Sequence, residues 1–297
     1  MPYDKLLVAT GSTPVSPPIE GIDLPGVTSC WTLADARRIA GAAKPGSRIV
    51  LMGAGFIGCI ILEALAKSGA DLTVVEMEDR MVPRMMDDIA GGLIKDWCEA
   101  QGVKVHTSTQ VTAIEKSGNG LTVKLNSGES VAADMVVSAT GVRPNIGVVE
   151  GSGIETDHGI LVDRTMRTND PDIYAAGDVA QGVDFSTGDY SVQAIQPTAV
   201  DHGQLAARNM AGLSGAVHRG CVNMNVLHTL GLISSPFGLW MCAAAGDSAS
   251  LLNRVRYRYL NLPFSDVVLV GATSLGVTSL VGVFRGLHHG TTPCGAE

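Results

Sequence analysis

A glycine-rich hexapeptide, Gly53 to Gly58 (GAGFIG), constrains the fold of this 297-residue chain more than any other feature. It follows an apolar run typical of a buried strand, Arg48 to Met52, and precedes a segment, Phe56 to Lys67, with the period and length of a helix. A G-x-G-x-x-G sequence alone is weak evidence, because glycine-rich turns are common. Its position between a strand and a helix, however, is typical of a parallel α/β nucleotide-binding unit.

Each glycine of the hexapeptide has a separate steric role. Gly53 permits a tight turn, Gly55 lets a pyrophosphate approach the backbone, and Gly58 lets the helix pack closely on the strand. The anion would then lie at the N-terminus of the helix, where backbone N–H groups have no partner. The residues predicted to contact a dinucleotide are Gly53, Ala54, Gly55, Phe56, Ile57 and Gly58.

An acidic residue, Glu76, ends the next apolar run, 76 − 55 = 21 residues after Gly55. At this spacing a carboxylate can accept a hydrogen bond from a ribose 2′-hydroxyl, and Glu78 nearby would repel a 2′-phosphate. Arg80 and Arg84 are counter-evidence, since an arginine after this strand can accommodate a 2′-phosphate. We expect NAD in preference to NADP.

The chain contains an internal repeat, in which residues 4–11 (DKLLVATG) match residues 134–141 (DMVVSATG). The second copy closes a nucleotide-binding unit whose glycine-rich loop begins 139 − 53 = 86 residues before Ala139. By analogy, the first copy closes a similar unit whose loop would precede Met1. We therefore expect the sequence to be truncated at its N-terminus. The cofactor contacts expected in the two copies are Thr10, Gly11, Ala139, Thr140 and Gly141.

Local signals place further helices and strands around the hexapeptide. Thr32 and Asp35 have the spacing of a capping box that opens a helix. Residues 87–100 have the pattern of a helix, and two alternating runs, 110–115 and 121–125, flank a turn typical of a hairpin. A parallel α/β unit with a β-meander is therefore predicted.

A second motif, residues 168–178 (TNDPDIYAAGD), delivers an aspartate beside a glycine after a short strand. Together with the two ATG segments and residues 141–145 (GVRPN), it resembles the FAD/NAD-dependent pyridine nucleotide-disulfide oxidoreductase superfamily, in its rubredoxin reductase, NADH oxidase and nitrite reductase branch. The resemblance covers about residues 3–212. It implies FAD contacts from Gly177, Asp178, Pro197, Thr198 and Ala199, the last three at the start of a helix that faces the flavin pyrimidine.

The fold class that follows is α/β, with a Rossmann-like NAD domain and its β-meander inserted in a partial FAD domain, plus a C-terminal α+β interface domain. The expected segments are 1–31, a remnant of the FAD domain with a linker; 32–143, the NAD-binding domain; 144–213, the second FAD segment; and 214–297, an interface or dimerisation domain. The alternating Val/Leu runs of the last segment predict a sheet that packs on the FAD domain or on a second subunit.

Two departures from the family pattern bear on function. Ile60 stands where many members carry a glutamate that faces the flavin. The first FAD glycine-rich loop and any redox-active cysteine of that region are missing, so disulfide reduction is not predicted, and whether FAD is retained stays open.

Composition excludes other classes of protein. A net charge of −8 and a pI near 5.3 argue against nucleic acid as the main partner. The six cysteines show no C-x-x-C spacing, so no metal site is predicted, and the absence of a signal peptide at Met1 favours the cytoplasm. The uncharged run Val267 to Phe284 raises the question of a membrane span, but its glycines and β-branched residues favour two strands.

The resemblance implies a flavoprotein oxidoreductase that passes hydride from NADH to FAD and electrons on to oxygen, a small redox protein or a redox domain. A second copy of the chain is a candidate partner. No catalytic residue is assigned, because both cofactors carry the difficult chemistry themselves. The alternative is a non-catalytic NAD-binding fragment that cannot retain FAD. A dehydrogenase with a single cofactor would leave the repeat and the Asp178 motif unexplained.

Overall fold

The computed structural model of the protein describes residues 2–213, 216–218, 220, 222, 224–240 and 247–290. The chain divides into two compact units. The first comprises Met1–Thr13 and Val142–Asn223, and the second comprises Pro14–Gly141 and Met224–Glu297. Each unit has its own hydrophobic core.

Short strands and a few longer helices make up the chain. The helices are α1 (Leu33–Ala42), α2 (Phe56–Lys67), α3 (Asp88–Ala100), α4 (Gln196–Met210) and α5 (Val281–Gly290), with 3₁₀ turns at Ile146–Val149, Gly177–Val179 and Arg254–Arg256. The strands are β1 (Leu6–Val8), β2 (Ser12–Pro14), β3 (Val27–Ser29), β4 (Arg48–Met52), β5 (Asp71–Val75), β6 (Lys104–His106), β7 (Val111–Ser117), β8 (Gly120–Leu125), β9 (Ser130–Ala133), β10 (Met135–Ser138), β11 (Val142–Pro144), β12 (Ile160–Leu161), β13 (Ile173–Ala175), β14 (Ala180–Val183), β15 (Tyr190–Ser191), β16 (Leu227–Thr229), β17 (Leu232–Gly238), β18 (Ser248–Asn253), β19 (Arg258–Ser265), β20 (Val268–Leu269) and β21 (Gly271–Leu275).

A five-stranded parallel sheet, in the order β3-β10-β4-β5-β6, forms the centre of the second unit. Its middle strands are buried on both faces, which is why they consist of consecutive apolar residues. The predicted meander is present as the antiparallel sheet β7-β8-β9. The α/β fold class is therefore confirmed. The edge strand β3 lies before residue 32, where the sequence placed the start of this domain.

The capping box that the sequence predicts is present at the start of α1. The Thr32 hydroxyl oxygen accepts a hydrogen bond from the backbone N–H of Asp35, and the Asp35 carboxylate accepts one from the backbone N–H of Thr32. Helix α2 begins and ends at the residues predicted for it. Asp87 caps α3 by accepting a hydrogen bond from the backbone N–H of Ala90 at 2.8 Å.

The C-terminal segment of the second unit contains an antiparallel sheet in the order β16-β17-β21-β19-β18, with β20 paired to β19. One face of this sheet shares a core with α2 and α3, to which it contributes Leu227, Leu232, Tyr259 and Leu275. The sequence predicts packing on the FAD domain or on a second subunit, and no local pattern indicates α2 and α3 as the packing partner. Helix α5 lies against the same sheet, where the rings of His288 and Phe237 are 5.8 Å apart.

The prediction of two strands over Val267 to Phe284 is wrong in its second half. Strands β20 and β21 account for the first half, but residues 281–290 form α5. Val281 and His288, seven residues apart, are both buried, which is the spacing of one helical face. Among the described residues, no helix has the length and apolar character to cross a membrane.

Two polar contacts tie the C-terminal sheet to α3. The Tyr259 hydroxyl donates a hydrogen bond to Asp87 Oδ2 at 2.9 Å. The indole N–H of Trp97 donates to the carbonyls of Thr229 and Leu230, at 3.1 and 3.2 Å. Burial raises the pKa of the Asp87 carboxyl, and burial together with Asp87 raises the pKa of Tyr259 well above its usual range.

The substitution Tyr259→Phe should lower the free energy of unfolding by about 1 to 3 kcal/mol, because it leaves a half-buried carboxylate oxygen without its donor. Urea unfolding monitored by circular dichroism measures this change. The matched control is Tyr190→Phe, since Tyr190 is half exposed, and it should change stability by less than about 0.5 kcal/mol. Equal effects of the two substitutions would show that the hydrogen bond does not stabilise the sheet on α3.

The first unit is smaller, and its two segments, Met1–Thr13 and Val142–Asn223, are separated in sequence by the second unit's first segment. Strand β1 pairs in parallel with β13, β2 pairs with β11, and β14 lies between β12 and β15. Helix α4 packs on the 3₁₀ turn Gly177–Val179, directly after β13.

His202 on α4 is buried beside His218, and burial lowers the pKa of His202 to about 4. It is therefore neutral at physiological pH.

Candidate functional site

The backbone of the glycine-rich loop is so closely packed that two of its glycines cannot be replaced without movement. Gly53 has φ of 99°, and a Cβ there would lie 2.6 Å from the carbonyl oxygen of Ala139. A Cβ on Gly58 would lie 2.2 Å from the carbonyl oxygen of Gly53. Real Cβ atoms do not approach this closely. The steric roles predicted for these two glycines therefore agree with the structure.

Gly55 is different, because a Cβ there would meet no protein atom within 4 Å. It is the N-cap of α2 and offers no side chain to the unpaired N–H groups of the first turn. Open space and unpaired donors at a helix N-terminus are the features that a bound phosphate requires. Phe56 and Ile57, in the same turn, are half-buried.

Glu76 holds the loop itself. Its buried carboxylate accepts a hydrogen bond from the backbone N–H of Ala54 at 2.6 Å through one oxygen, and from that of Glu78 at 3.0 Å through the other. The sequence predicts a ribose contact for Glu76 but not this clamp on the loop. A carboxylate has about four acceptor positions, so two remain for sugar hydroxyls.

The carbonyl of Ala54 is held from the other side by Val82, whose backbone N–H donates to it at 2.9 Å. Val82 is buried and has φ of 53°, a left-handed conformation that costs a β-branched residue about 1 to 3 kcal/mol. The backbone N–H and the carbonyl of Ala54 are therefore both fixed. Sequence reasoning missed Val82, since no sequence signal marks a valine in this conformation.

The two arginines that argued for NADP have different surroundings. Arg80 Nε donates to the carbonyl of Met86 at 2.9 Å, and its guanidinium pairs with Asp79 at 2.6 Å. Arg84 is exposed. Arg80 is therefore occupied by protein groups.

The second copy of the repeat lies next to the glycine-rich loop. The backbone N–H of Ala139 donates to the carbonyl of Met52 at 2.7 Å, and Gly141 has φ of 108°. Thr140 Oγ1 donates to the carbonyl of Val15 at 3.2 Å.

The order of the strands places this repeat at a change of direction in the sheet. Strand β4 is followed by β5 and β6 on one side, whereas β10 and β3 lie on its other side. The loop and Ala139 thus flank a topological switch point, where open α/β sheets bind ligands.

The first copy of the repeat ends in a hydrogen-bonded turn in the first unit. Asn145 Nδ2 donates to the carbonyl of Thr10 at 2.8 Å, and Thr10 Oγ1 donates to the carbonyl of Asn145 at 2.8 Å. Gly11 has φ of 67°. Sequence reasoning used Asn145 only as part of the family pattern and did not identify this role.

The Asp178 motif lies at the end of β13, beside the start of α4. Gly177 has φ of 76°, and a Cβ there would lie 3.5 Å from Cβ of Ala199. Asp178 Oδ2 accepts a hydrogen bond from Ser12 Oγ at 2.7 Å. Ser12, which the sequence analysis missed, follows the first copy of the repeat directly. The unit thus brings both of its predicted flavin motifs to one edge of β1 and β13.

The N-terminus of α4 has no side-chain cap, and Pro197 occupies its first turn. Pro197 has no N–H to leave unpaired, and Thr198 is buried. The free backbone donors of this turn suit an anionic or electron-rich group. On α2, by contrast, Ile60 presents a half-exposed apolar side chain where the family pattern has a carboxylate.

Residues 1–203 match the protein family described as pyridine nucleotide-disulphide oxidoreductase. The chain belongs to this family. The family consists of NAD(P)H-dependent FAD oxidoreductases, so the resemblance of the four motifs is confirmed.

Two relatives in this oxidoreductase family share about a third of their residues with the chain. The NADH-dependent phenylglyoxylate dehydrogenase subunit epsilon of Aromatoleum evansii is 34% identical over 264 residues, which are 89% of this chain and 62% of the relative. An NADH oxidase of Methanocaldococcus jannaschii is 36% identical over 216 residues, or 72% and 48% of the two chains. The chain therefore spans about half to three fifths of the length of these relatives.

The fold is also that of a solved structure of an NAD-dependent persulfide reductase from A. fulgidus. It superposes with a TM-score of 0.88 at 28% identity, and the match covers 97% of this chain and 57% of the other. The oxidoreductase fold therefore extends beyond the residues that match the family, into the C-terminal sheet.

Replacement of single glycines tests the loop as a nucleotide site. Gly55→Ala should leave the stability unchanged, because its Cβ meets no protein atom, but it should weaken NADH binding by about tenfold or more, since the Cβ enters the space for the pyrophosphate. NADH fluorescence titration measures the affinity.

Gly92→Ala is the matched control, because Gly92 lies within α3 and its Cβ would also meet nothing. It should leave NADH binding unchanged. If Gly55→Ala binds NADH as the wild type does, the nucleotide does not lie over Gly55.

Proposed function

We propose that the chain is the NADH-oxidising part of a flavoprotein reductase, which passes hydride from NADH to FAD and electrons to a separate protein. The observation that carries the proposal is a pair of similar turns, one in each unit. One is the glycine-rich loop Gly53–Gly58 before α2, and the other is the turn at Gly177 and Asp178 beside the start of α4. We call these two turns the cradles. Each follows parallel strands, contains a glycine with positive φ and adjoins a helix N-terminus without a side-chain cap. Two such cradles suit two dinucleotides.

NADH is assigned to the cradle of the second unit. Gly55 and the first turn of α2 would receive the pyrophosphate, and the carboxylate of Glu76 would accept from the ribose hydroxyls. Its negative charge would repel the 2′-phosphate of NADPH, while the pairing of Arg80 with Asp79 and Met86 keeps that guanidinium engaged. These contacts support a preference for NADH.

FAD is assigned to the cradle of the first unit. When bound, it accepts a hydride from NADH and releases electrons to the acceptor. Asp178, held by Ser12, would accept from hydroxyls of the flavin side chain. The backbone N–H of Thr198 would stabilise negative charge on the ring, and Ala199, whose own N–H donates to the carbonyl of Ile195 at 3.1 Å, would lie beside it. Gly11 and Gly177, which have no Cβ, would let the backbone approach the cofactor beside Thr10.

A protein acceptor is supported by the extent of similarity to the dehydrogenase subunit. An alignment of 264 residues within this chain must reach at least residue 264, and so it includes much of the C-terminal sheet. The relative is by its name one subunit of a larger enzyme. A partner subunit is thus the favoured acceptor. Oxygen is the second candidate, supported by the similarity to an NADH oxidase.

Absorbance spectroscopy of the purified chain tests this function. The protein should carry flavin or bind added FAD, and NADH should bleach the flavin bands under anaerobic conditions.

The substitution Asp178→Ala tests the assignment of FAD to the first unit. It should weaken FAD retention by about tenfold or more, because the carboxylate is lost, without weakening NADH binding. Asp172→Ala is the matched control, since Asp172 lies exposed at the other end of the same strand. A protein that binds NADH but never FAD would support the alternative of a non-catalytic NAD-binding fragment.

A further inference from the structure

The turn between β18 and β19 carries a cluster of positive charge. Arg254, Arg256 and Arg258 are all exposed, and the residues 248–265 around them include no Asp or Glu. The chain as a whole has 29 acidic and 21 basic residues. None of the ion pairs in the described part of the chain includes these three arginines. Residues 254–258 are called the arginine turn.

An apolar side chain lies among these charges. Val255, between two of the arginines, is 90% exposed. Burying such a side chain in a partner would release about 1.5 to 3 kcal/mol of hydrophobic free energy that the isolated chain does not gain. Arginine is enriched among the residues that dominate protein interfaces.

The arginine turn is held in one conformation by the core beneath it. Asn253 Oδ1 accepts a hydrogen bond from the backbone N–H of Arg256 at 3.1 Å. Tyr257 adopts a left-handed conformation with φ of 49°, and its ring meets that of Trp97 edge-on at 5.0 Å. Tyr259, next along the strand, donates to Asp87. These anchors fix the turn on α3, so little conformational entropy would be lost when a partner binds.

We propose that the arginine turn is a docking surface for a protein partner whose own surface presents carboxylates around an apolar depression. Charge complementarity supports this occupant, because three unpaired guanidinium groups on an acidic chain favour an acidic surface, and guanidinium binds carboxylate in a bidentate manner. The exposed valine supports a protein rather than a small anion, since a phosphate gains nothing from an apolar contact. This surface does not depend on the proposed hydride transfer.

Fluorescence anisotropy with two labelled acidic polymers tests the docking surface. One polymer is poly-L-glutamate, and the other is a glutamate-rich random copolymer with tyrosine, which combines carboxylates with apolar groups. The triple variant Arg254→Gln, Arg256→Gln, Arg258→Gln should bind both polymers about tenfold or more weakly than the wild type. Binding by the wild type should weaken as the ionic strength rises to about 0.15 M.

The matched control changes the same net charge at three separate exposed positions, Arg37→Gln, Arg164→Gln and Arg208→Gln. It should retain at least half of the wild-type affinity. An equal loss in both triple variants would attribute binding to net charge and overturn the proposal.

The single variant Val255→Ser distinguishes a protein partner from a simple anion. Val255 is exposed, so its substitution should not disturb the fold. It should weaken binding of the tyrosine copolymer about threefold or more without affecting poly-L-glutamate. Unchanged binding of both polymers, or displacement of both by pyrophosphate at low millimolar concentration, would identify a bare anion site and overturn the proposal.

Discussion

The close approach of backbone to backbone in the glycine-rich loop is the constraint on which the second unit depends. Gly58 meets the carbonyl of Gly53, and Gly53 meets the carbonyl of Ala139, both at distances that exclude a Cβ. These contacts join the end of β4, the start of α2 and the end of β10. The same contacts leave Gly55 and the first turn of α2 open, so the packing that closes the sheet also creates the cradle that we propose for NADH.

The carboxylate of Glu76 links this packing to cofactor choice. It accepts a hydrogen bond from the backbone N–H of Ala54, while the backbone N–H of the strained Val82 donates to the carbonyl of Ala54. Because Glu76 fixes the loop, its exchange for a smaller or neutral residue would change the loop as well as the ribose contact that we propose for it. The structural and the recognition roles of Glu76 therefore constrain each other.

Local signals in the sequence predicted much of the fold, and long-range packing accounts for most of what they missed. The capping box of α1 and the bounds of α2 depend on neighbouring residues, and both are present as predicted. Residues 281–284 lie in α5 although the sequence predicts strands up to Phe284, because valine and glycine patterns are ambiguous over short runs. The clamp on Ala54 and the contact of Ser12 with Asp178 join residues 22 and 166 positions apart, which no local pattern reveals.

We propose that the loop and Glu76 form a site for NADH rather than NADPH. The ratio of the two dissociation constants, measured by fluorescence titration at matched ionic strength, tests this preference most directly. NADH should bind at least about tenfold more tightly than NADPH, because the carboxylate would accept from the ribose hydroxyl and repel a phosphate in its place. Equal affinities, or tighter binding of NADPH, would contradict this assignment.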